Sequence, residues 1–345
     1  MANSLDPSLY TVGVICALSV ERLAVCSFLE AEHARLTSQS VDDNNDYTLG
    51  QIREHNVVVA GLPLGRYGTT NAAVVARDMI RTFPNIRIGL MVGIGGGAPS
   101  DDHDIRLGDV VVGASKNGKN ELLQYDFGKT IQNRKFQRVE TRNNTPLVMQ
   151  NAIGALEVDY AWKGHQLQKL MQDVLKANKR MKRQYKKPAT DSDILYWPDY
   201  VHPEEPHTAC SEPCSRDPEH IVPRPALVDS DEEDDSDADE IPRDDPTIHY
   251  GLIASANQLM KNAGIRDSLA NEAGVLCFEM EAAGLQDHFP CLIIRGICDY
   301  SDTHKNDRWH GYAAMVAAAY AKDLLTRIPP NKIEAERTLG EVISG

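Results

Sequence analysis

No run of about 18 or more uncharged apolar residues occurs in the 345-residue chain, so no segment reads as a membrane-crossing helix. The stretch MANSLDPSLYTVGVICALSVER has neither the basic region nor the cleavage site of a signal peptide, and the expected location is the cytoplasm. Cysteine is scarce, and its count of seven is odd. Four of the seven, Cys16, Cys277, Cys291 and Cys298, sit inside apolar runs as small core residues would, so no disulfide framework is expected. No internal repeat is visible. Basic charge is also short, with a formal net charge of −14, yet Asp229 to Asp245 holds eleven acids and one arginine, which is −10 and leaves −4 elsewhere. The acidity therefore belongs to one segment, and neither nucleic acid nor a membrane is expected as a partner.

What is present is enough apolar residue, 42% of the chain, for a real core. Six short runs rich in Val and Ile read as buried strands: residues 11–18, 56–62, 86–94, 109–115, 248–255 and 291–298. Between them, Thr70 to Thr82 has helical spacing, and Tyr312 to Ile328 is an alanine-rich helix stopped by two prolines. Strands alternating with helices predict an α/β protein, a single domain of three α/β/α layers around a mixed, mostly parallel twisted central sheet. Residues 188–246, with many prolines and the run DSDEEDDSDADE, interrupt it as a low-complexity acidic insertion too poor in apolar side chains to offset its ordering entropy. A basic segment of helical character, His165 to Lys187, precedes the insertion, and 329–345 reads as a C-terminal tail.

Three segments carry chemistry, each at a strand end, where open α/β sheets place their ligands. In GVICALSVER, Glu21 lies just beyond a strand, and taken alone it reads as a solvated first-turn residue favoured by the helix dipole. VGIGGGAPSDD runs a strand into glycines, Gly95 and Gly96 among them, that permit close backbone approach to a ligand. The AlaProSerAspAsp that follows is no helix start, so a dinucleotide fingerprint is not supported. CFEMEAAGL and then CLIIRGICDYSD set Glu279, Glu281 and Asp299 in apolar surroundings, where a carboxylate is costly without a partner or a task. Pairing with Arg295 accounts for one of them, not easily for three.

In the same order, GVICAL with Glu21, VGIGGG, GDVVVG, IASANQLM, FEMEAAG and RGICDYSD resemble the nucleoside phosphorylase and 5'-methylthioadenosine/S-adenosylhomocysteine nucleosidase superfamily, in particular a fungal branch often joined to NACHT or ankyrin regions. The resemblance spans most of 10–328, the implied catalytic domain, apart from the insertion. It implies that Met280 packs under the ribose, that Glu281 accepts the 2'- and 3'-hydroxyls, that Asp299 supports protonation at purine N7, and that Arg295 braces the region. Leu259 and Met260 take the positions that flank the base, and Leu259 stands where nucleosidases commonly have an aromatic ring. Such a site suits glycosidic cleavage, in which the leaving base gains a proton while the sugar becomes cationic beside fixed carboxylates. A homo-oligomer and no cofactor are implied.

Phosphorylases of the superfamily hold phosphate with arginines near the two Gly-rich turns. Here Glu21 stands where nucleosidases keep the carboxylate that activates water, and an anion there repels phosphate. Hydrolysis is expected; Arg22 beside Glu21 keeps phosphorolysis open. Toward the 5' end, Trp309 resembles a pocket aromatic, with Lys305 and Arg308 beside it and Arg66 and Lys129 in other strand-end loops. Singly these cations read as surface charges, and together they suit a polyphosphate. Defence-linked proteins that the chain resembles use ATP, so the expected reaction is ATP to adenine and ribose 5-triphosphate. The ligand in any case is a small purine nucleoside or nucleotide. The alternatives are adenosine or methylthioadenosine hydrolysis, purine nucleoside phosphorolysis and a non-catalytic nucleotide-sensing module. His202, His207, Cys210 and Cys214 have the side chains of a zinc site, but their CysXXXCys interval lies among prolines and acids and reads first as a polar loop. Breaking the glycosidic bond needs no metal.

Overall fold

The computed structural model describes residues 5–115, 120–133, 136–138, 145–202, 214, 216–225 and 246–344; the acidic run, His207 and Cys210 lie outside them. In chain order the strands are β1 (Val12–Cys16), β2 (Ala31–Glu32), β3 (Tyr47–Ile52), β4 (His55–Gly61), β5 (Ile88–Gly97), β6 (Val110–Gly113), β7 (Leu122–Gln124), β8 (Gly128–Lys129), β9 (Gln137–Arg138), β10 (Ile248–Ser255), β11 (Val275–Glu279) and β12 (Cys291–Asp299). Apart from the β8–β9 pair, they join one mixed sheet in the order β11-β10-β6-β12-β5-β1-β4-β3-β2, with β7 beside β10. β5 lies parallel to both β1 and β12, while β12 runs antiparallel to β6. Cys277 and Phe278 pair antiparallel with Gly97 and Gly96, so β11 returns onto β5 and closes β5, β12, β6, β10 and β11 into a ring.

The helices are α1 (Ser19–Ser27), α2 (Thr69–Thr82), α3 (Leu147–Lys163), α4 (Leu167–Ala177), α5 (Lys182–Tyr185), α6 (Ala263–Ala273), α7 (Ala282–Leu285), α8 (His310–Arg327), α9 (Pro330–Glu334) and α10 (Leu339–Ser344). Alternate residues of the central strands feed two apolar clusters, as the two-residue period of a strand requires. Val12, Val14 and Cys16 of β1 pack with Ala24 and Val25 of α1 and with α8, whereas Ile15 joins Val75, Ala76 and Met79 of α2. The four cysteines expected in the core are buried there without disulfides. None of the described helices is long and apolar enough to cross a membrane.

All six expected strands are present, and two differences have physical causes. Six strands are additional: β2, β7, β8 and β9 have only two or three residues each, and of the longer two β3 is weakened in sequence by its glycine and β11 by its glutamate at the site. The glycines of VGIGGG form no turn: β5 stays extended through Gly97 because β12 pairs along one edge and β11 along the other. The 188–246 segment needs correction for its described parts. Leu195 and Tyr196 are buried, the Tyr300 hydroxyl bonds Asp193, and Arg224 donates to Asp104 at 2.9 Å and to the Tyr300 hydroxyl at 2.6 Å. A polar and aromatic lattice, not an apolar stripe, docks this chain. In the C-terminal segment, Ile333 of α9 and Leu339 of α10 are buried against the body.

Candidate active site

A cavity of about 220 Å³ opens where β1, β5, β11 and β12 end, and Glu21, Glu281 and Asp299 all line it. Glu21 sits in the first turn of α1 but is 2% exposed, not solvated. One carboxylate oxygen accepts from Ala17 N at 2.7 Å and Leu18 N at 2.8 Å, and the other from Ile94 N at 2.8 Å. Gly93 makes room for this, since a Cβ there would stand 2.5 Å from Glu21 Oε1 and 2.3 Å from Arg295 Nη1. Burial pushes the Glu21 carboxyl above its ordinary value, with Arg295 and the three N–H donors opposing.

Arg295 does not face the cavity; it lies buried beneath the FEMEAAG turn. Its guanidinium pairs with Glu279 and reaches Glu281 Oε2 at 3.6 Å. Glu279 also accepts from the N–H groups of Glu281 and Ala282 at 3.1 and 3.0 Å. Although Glu279 borders the cavity, its carboxylate is the structural partner of Arg295 and holds the turn that aims Met280 and Glu281. Removing one member of such a buried pair costs about 3–5 kcal/mol, because the other charge is left uncompensated. Glu281 accepts from Gly68 N at 3.3 Å. Burial, and next the nearby Glu279 charge, raise its carboxyl to about 7, with Arg295 opposing.

Asp299 ends β12 and has the reverse balance. Burial alone would raise its carboxyl, but Lys305 Nζ at 2.5 Å and Ser301 N–H at 2.8 Å hold it below its ordinary value. The same pairing holds the Lys305 ammonium above its ordinary value in spite of burial. Gly96 lets this group lie against β5, because a Cβ there would fall 2.6 Å from Asp299 Oδ1 and 2.2 Å from Ser301 Oγ. Gly95, Leu259, Met260 and Met280 also line the cavity, with Leu259 49% exposed at its rim.

Besides Arg295, four expected positions are not brought to the cavity. Trp309 is buried, donates from its indole to Ser192 Oγ at 3.2 Å and packs edge-on against Tyr312, so it is no wall of a 5' pocket. Arg308 borders a smaller neighbouring cavity of about 40 Å³. Lys129 is exposed on β8, and Arg66 is exposed in the loop before α2. Lys305 lines the cavity, but on Asp299. Sequence reasoning missed Tyr67, Phe278, Ser301 and His310, which line it too. Ser301 follows two residues after Asp299 in DYSD and has φ of 53°, a region that non-glycine residues rarely adopt, and its buried hydroxyl has no hydrogen-bond partner among the described residues. Phe278 brings an aromatic ring to the cavity, held edge-on by Tyr125 with ring centres 5.5 Å apart.

No family model matches the chain. A nucleotide-binding leucine-rich repeat (NLR)-like protein of Hyaloscypha variabilis is 41% identical over 334 residues; the alignment covers 97% of this chain, which spans only 31% of that protein's length. Futalosine hydrolase of Helicobacter pylori superposes with a TM-score of 0.54 at 14% identity, over 92% of this chain and 98% of its own. A mutant Helicobacter pylori MTAN with 5'-methylthioadenosine in its active site gives 0.53 at 14% identity, over 92% and 98%. The Neisseria meningitidis 5'-methylthioadenosine/S-adenosylhomocysteine nucleosidase in complex with methylthio-immucillin-A gives 0.52 at 17% identity, over 92% and 99%. The chain thus has the mixed α/β fold, helices around a central sheet, of these nucleosidases.

Proposed function

We propose that the chain hydrolyses the N-glycosidic bond of a purine nucleoside or nucleotide. The observation that carries this is the convergence of three buried carboxylates, from three separate strand ends, on one cavity. In this reading Glu281 grips the ribose hydroxyls and stabilises the developing cation, Met280 packs under the sugar, and Asp299 with Lys305 meets N7 and the exocyclic group of the base. Glu21 takes the proton of the attacking water. Water is favoured over phosphate because Arg22 turns away from Glu21 to bond Asp46 at 2.8 Å and Thr48 at 3.0 Å, and no arginine lines the cavity among the described residues. Retention of all three carboxylates favours turnover over sensing alone.

The nucleotide reading, ATP to adenine and ribose 5-triphosphate, has support at the mouth: Tyr67 lines the cavity and the exposed Arg66 beside it can meet a 5'-phosphate. The NLR-like relative favours a chain that works as the catalytic part of a larger protein. The test is incubation with ATP, adenosine, methylthioadenosine and inosine, with and without phosphate, followed by chromatography of free base. Base release without phosphate is expected, fastest from ATP; release from none of the four removes the glycosidase reading.

A further inference from the structure

His304 is the centre of a cluster that glycosidic cleavage does not use. Its imidazole is stacked on Tyr196, ring centres 4.1 Å apart, and its Nε2 lies 2.9 Å from the Tyr200 carbonyl oxygen. A carbonyl can only accept, so Nε2 carries a proton, and in the neutral imidazole Nδ1 then keeps its lone pair. Nδ1 faces Cys214 Sγ at 3.4 Å, across 90 residues of chain. A third donor, the His202 imidazole, has its ring centre 5.6 Å from that of His304, and the His202 backbone N–H is anchored to Thr303 Oγ1 at 2.9 Å.

This is the spacing that a tetrahedral metal imposes. Zinc bound by sulfur at about 2.3 Å and by nitrogen at about 2.0–2.1 Å holds the two donor atoms about 3.5 Å apart. A zinc-bound imidazole also gives its other N–H to a carbonyl or carboxylate, as His304 does to Tyr200. No three His, Cys, Asp or Glu groups among the described residues already stand as a full ligand set, so Cys214 and His304 are the preset half.

We propose that Cys214, His304 and His202 bind a zinc ion, His202 swinging inward and the Cys214 proton leaving to solvent, with a fourth position for water or a further donor. The ion pins His202 and Cys214 onto the loop after β12. His304 directly precedes Lys305, whose Nζ holds Asp299, so the clip also steadies one end of the cavity. The inference stands apart from the glycosidase reading.

The test is metal analysis of the full chain purified without chelator: about one zinc per chain is expected, falling below about a tenth in Cys214→Ser and in His304→Ala. Either substitution can unfold the segment, so cobalt(II) alone is also added to metal-stripped wild type. A thiolate-to-cobalt charge-transfer band that zinc displaces, and a melting temperature that rises on zinc addition, are the expected results. Wild type that takes up neither metal overturns the proposal and leaves a thiol–imidazole hydrogen bond. Undiminished zinc in both variants overturns it as well, by placing the metal elsewhere.

Discussion

Glu281 and Asp299 are both buried carboxylates lining one cavity, yet the first is raised to about 7 while the second is held below its ordinary value. The difference lies in how many anions each cation serves. Arg295 faces Glu279, Glu281 and Glu21 at once, so burial wins at Glu281. Lys305 is hydrogen-bonded to Asp299, so there the cation wins. One end of the cavity therefore takes up a proton near neutrality and the other stays ionised, a division that burial by itself would not produce.

The sharpest way to break this comparison is Asp299→Asn, which keeps the shape and removes the charge. It is expected to cut the rate of base release about 10²- to 10³-fold, the scale of losing one preorganised charged group that acts on the transition state, while the folded chain persists in a thermal melt. Near-normal turnover would take Asp299 out of the chemistry. At the other end, Glu281→Gln is expected to lower kcat about a hundredfold with KM little changed, since the carboxylate interacts most strongly with the cationic sugar. A rise in KM alone would make it a uniform binding contact.

The same residue gives a pH signature. Wild-type kcat/KM should rise as pH climbs through about 7, where Glu281 ionises, and Glu281→Gln should lose that limb. Its folded-state value is raised from 4.5, so its contribution to stability is full below about 4.5 and fades as pH rises through about 7. Because Gln stands in for the protonated carboxyl, the melting temperatures of wild type and Glu281→Gln should match toward the acid end of that window and part toward its alkaline end, wild type falling lower.

Smaller effects separate the base end from the 5' end. Lys305→Ala should cost about tenfold to a hundredfold, on the scale of a charged hydrogen bond, and equally for ATP and adenosine because its partner is Asp299. Arg308→Ala, facing the neighbouring cavity, should change either rate by less than about twofold. A loss confined to ATP in either variant would restore these cations to a triphosphate.

The strands were legible because Val- and Ile-rich runs covered on both faces have few other structures open to them. The carboxylates were legible because Glu281 and Asp299 stand in apolar sequence where charge is costly. The partners of those carboxylates were not. Lys305, six residues after Asp299, looks in sequence like any loop cation, and only the fold of DYSDTHK turns it back. Trp309 misled for the opposite reason: an aromatic near a site motif suggests a pocket wall, but Ser192, from a segment with no apolar period, gives its indole a half-buried partner. Ser301 carried no signal beyond its place in DYSD, since an unusual backbone angle is not written in residue type.

The central claim is that water, activated beside Glu21, replaces the purine. Single turnover in phosphate-free ¹⁸O-water, read by mass spectrometry, tests it most directly. The account predicts one ¹⁸O at the anomeric carbon of the released sugar, none in the free base, and no product within the same time from Glu21→Gln. Base release that requires phosphate and yields a sugar 1-phosphate would contradict it.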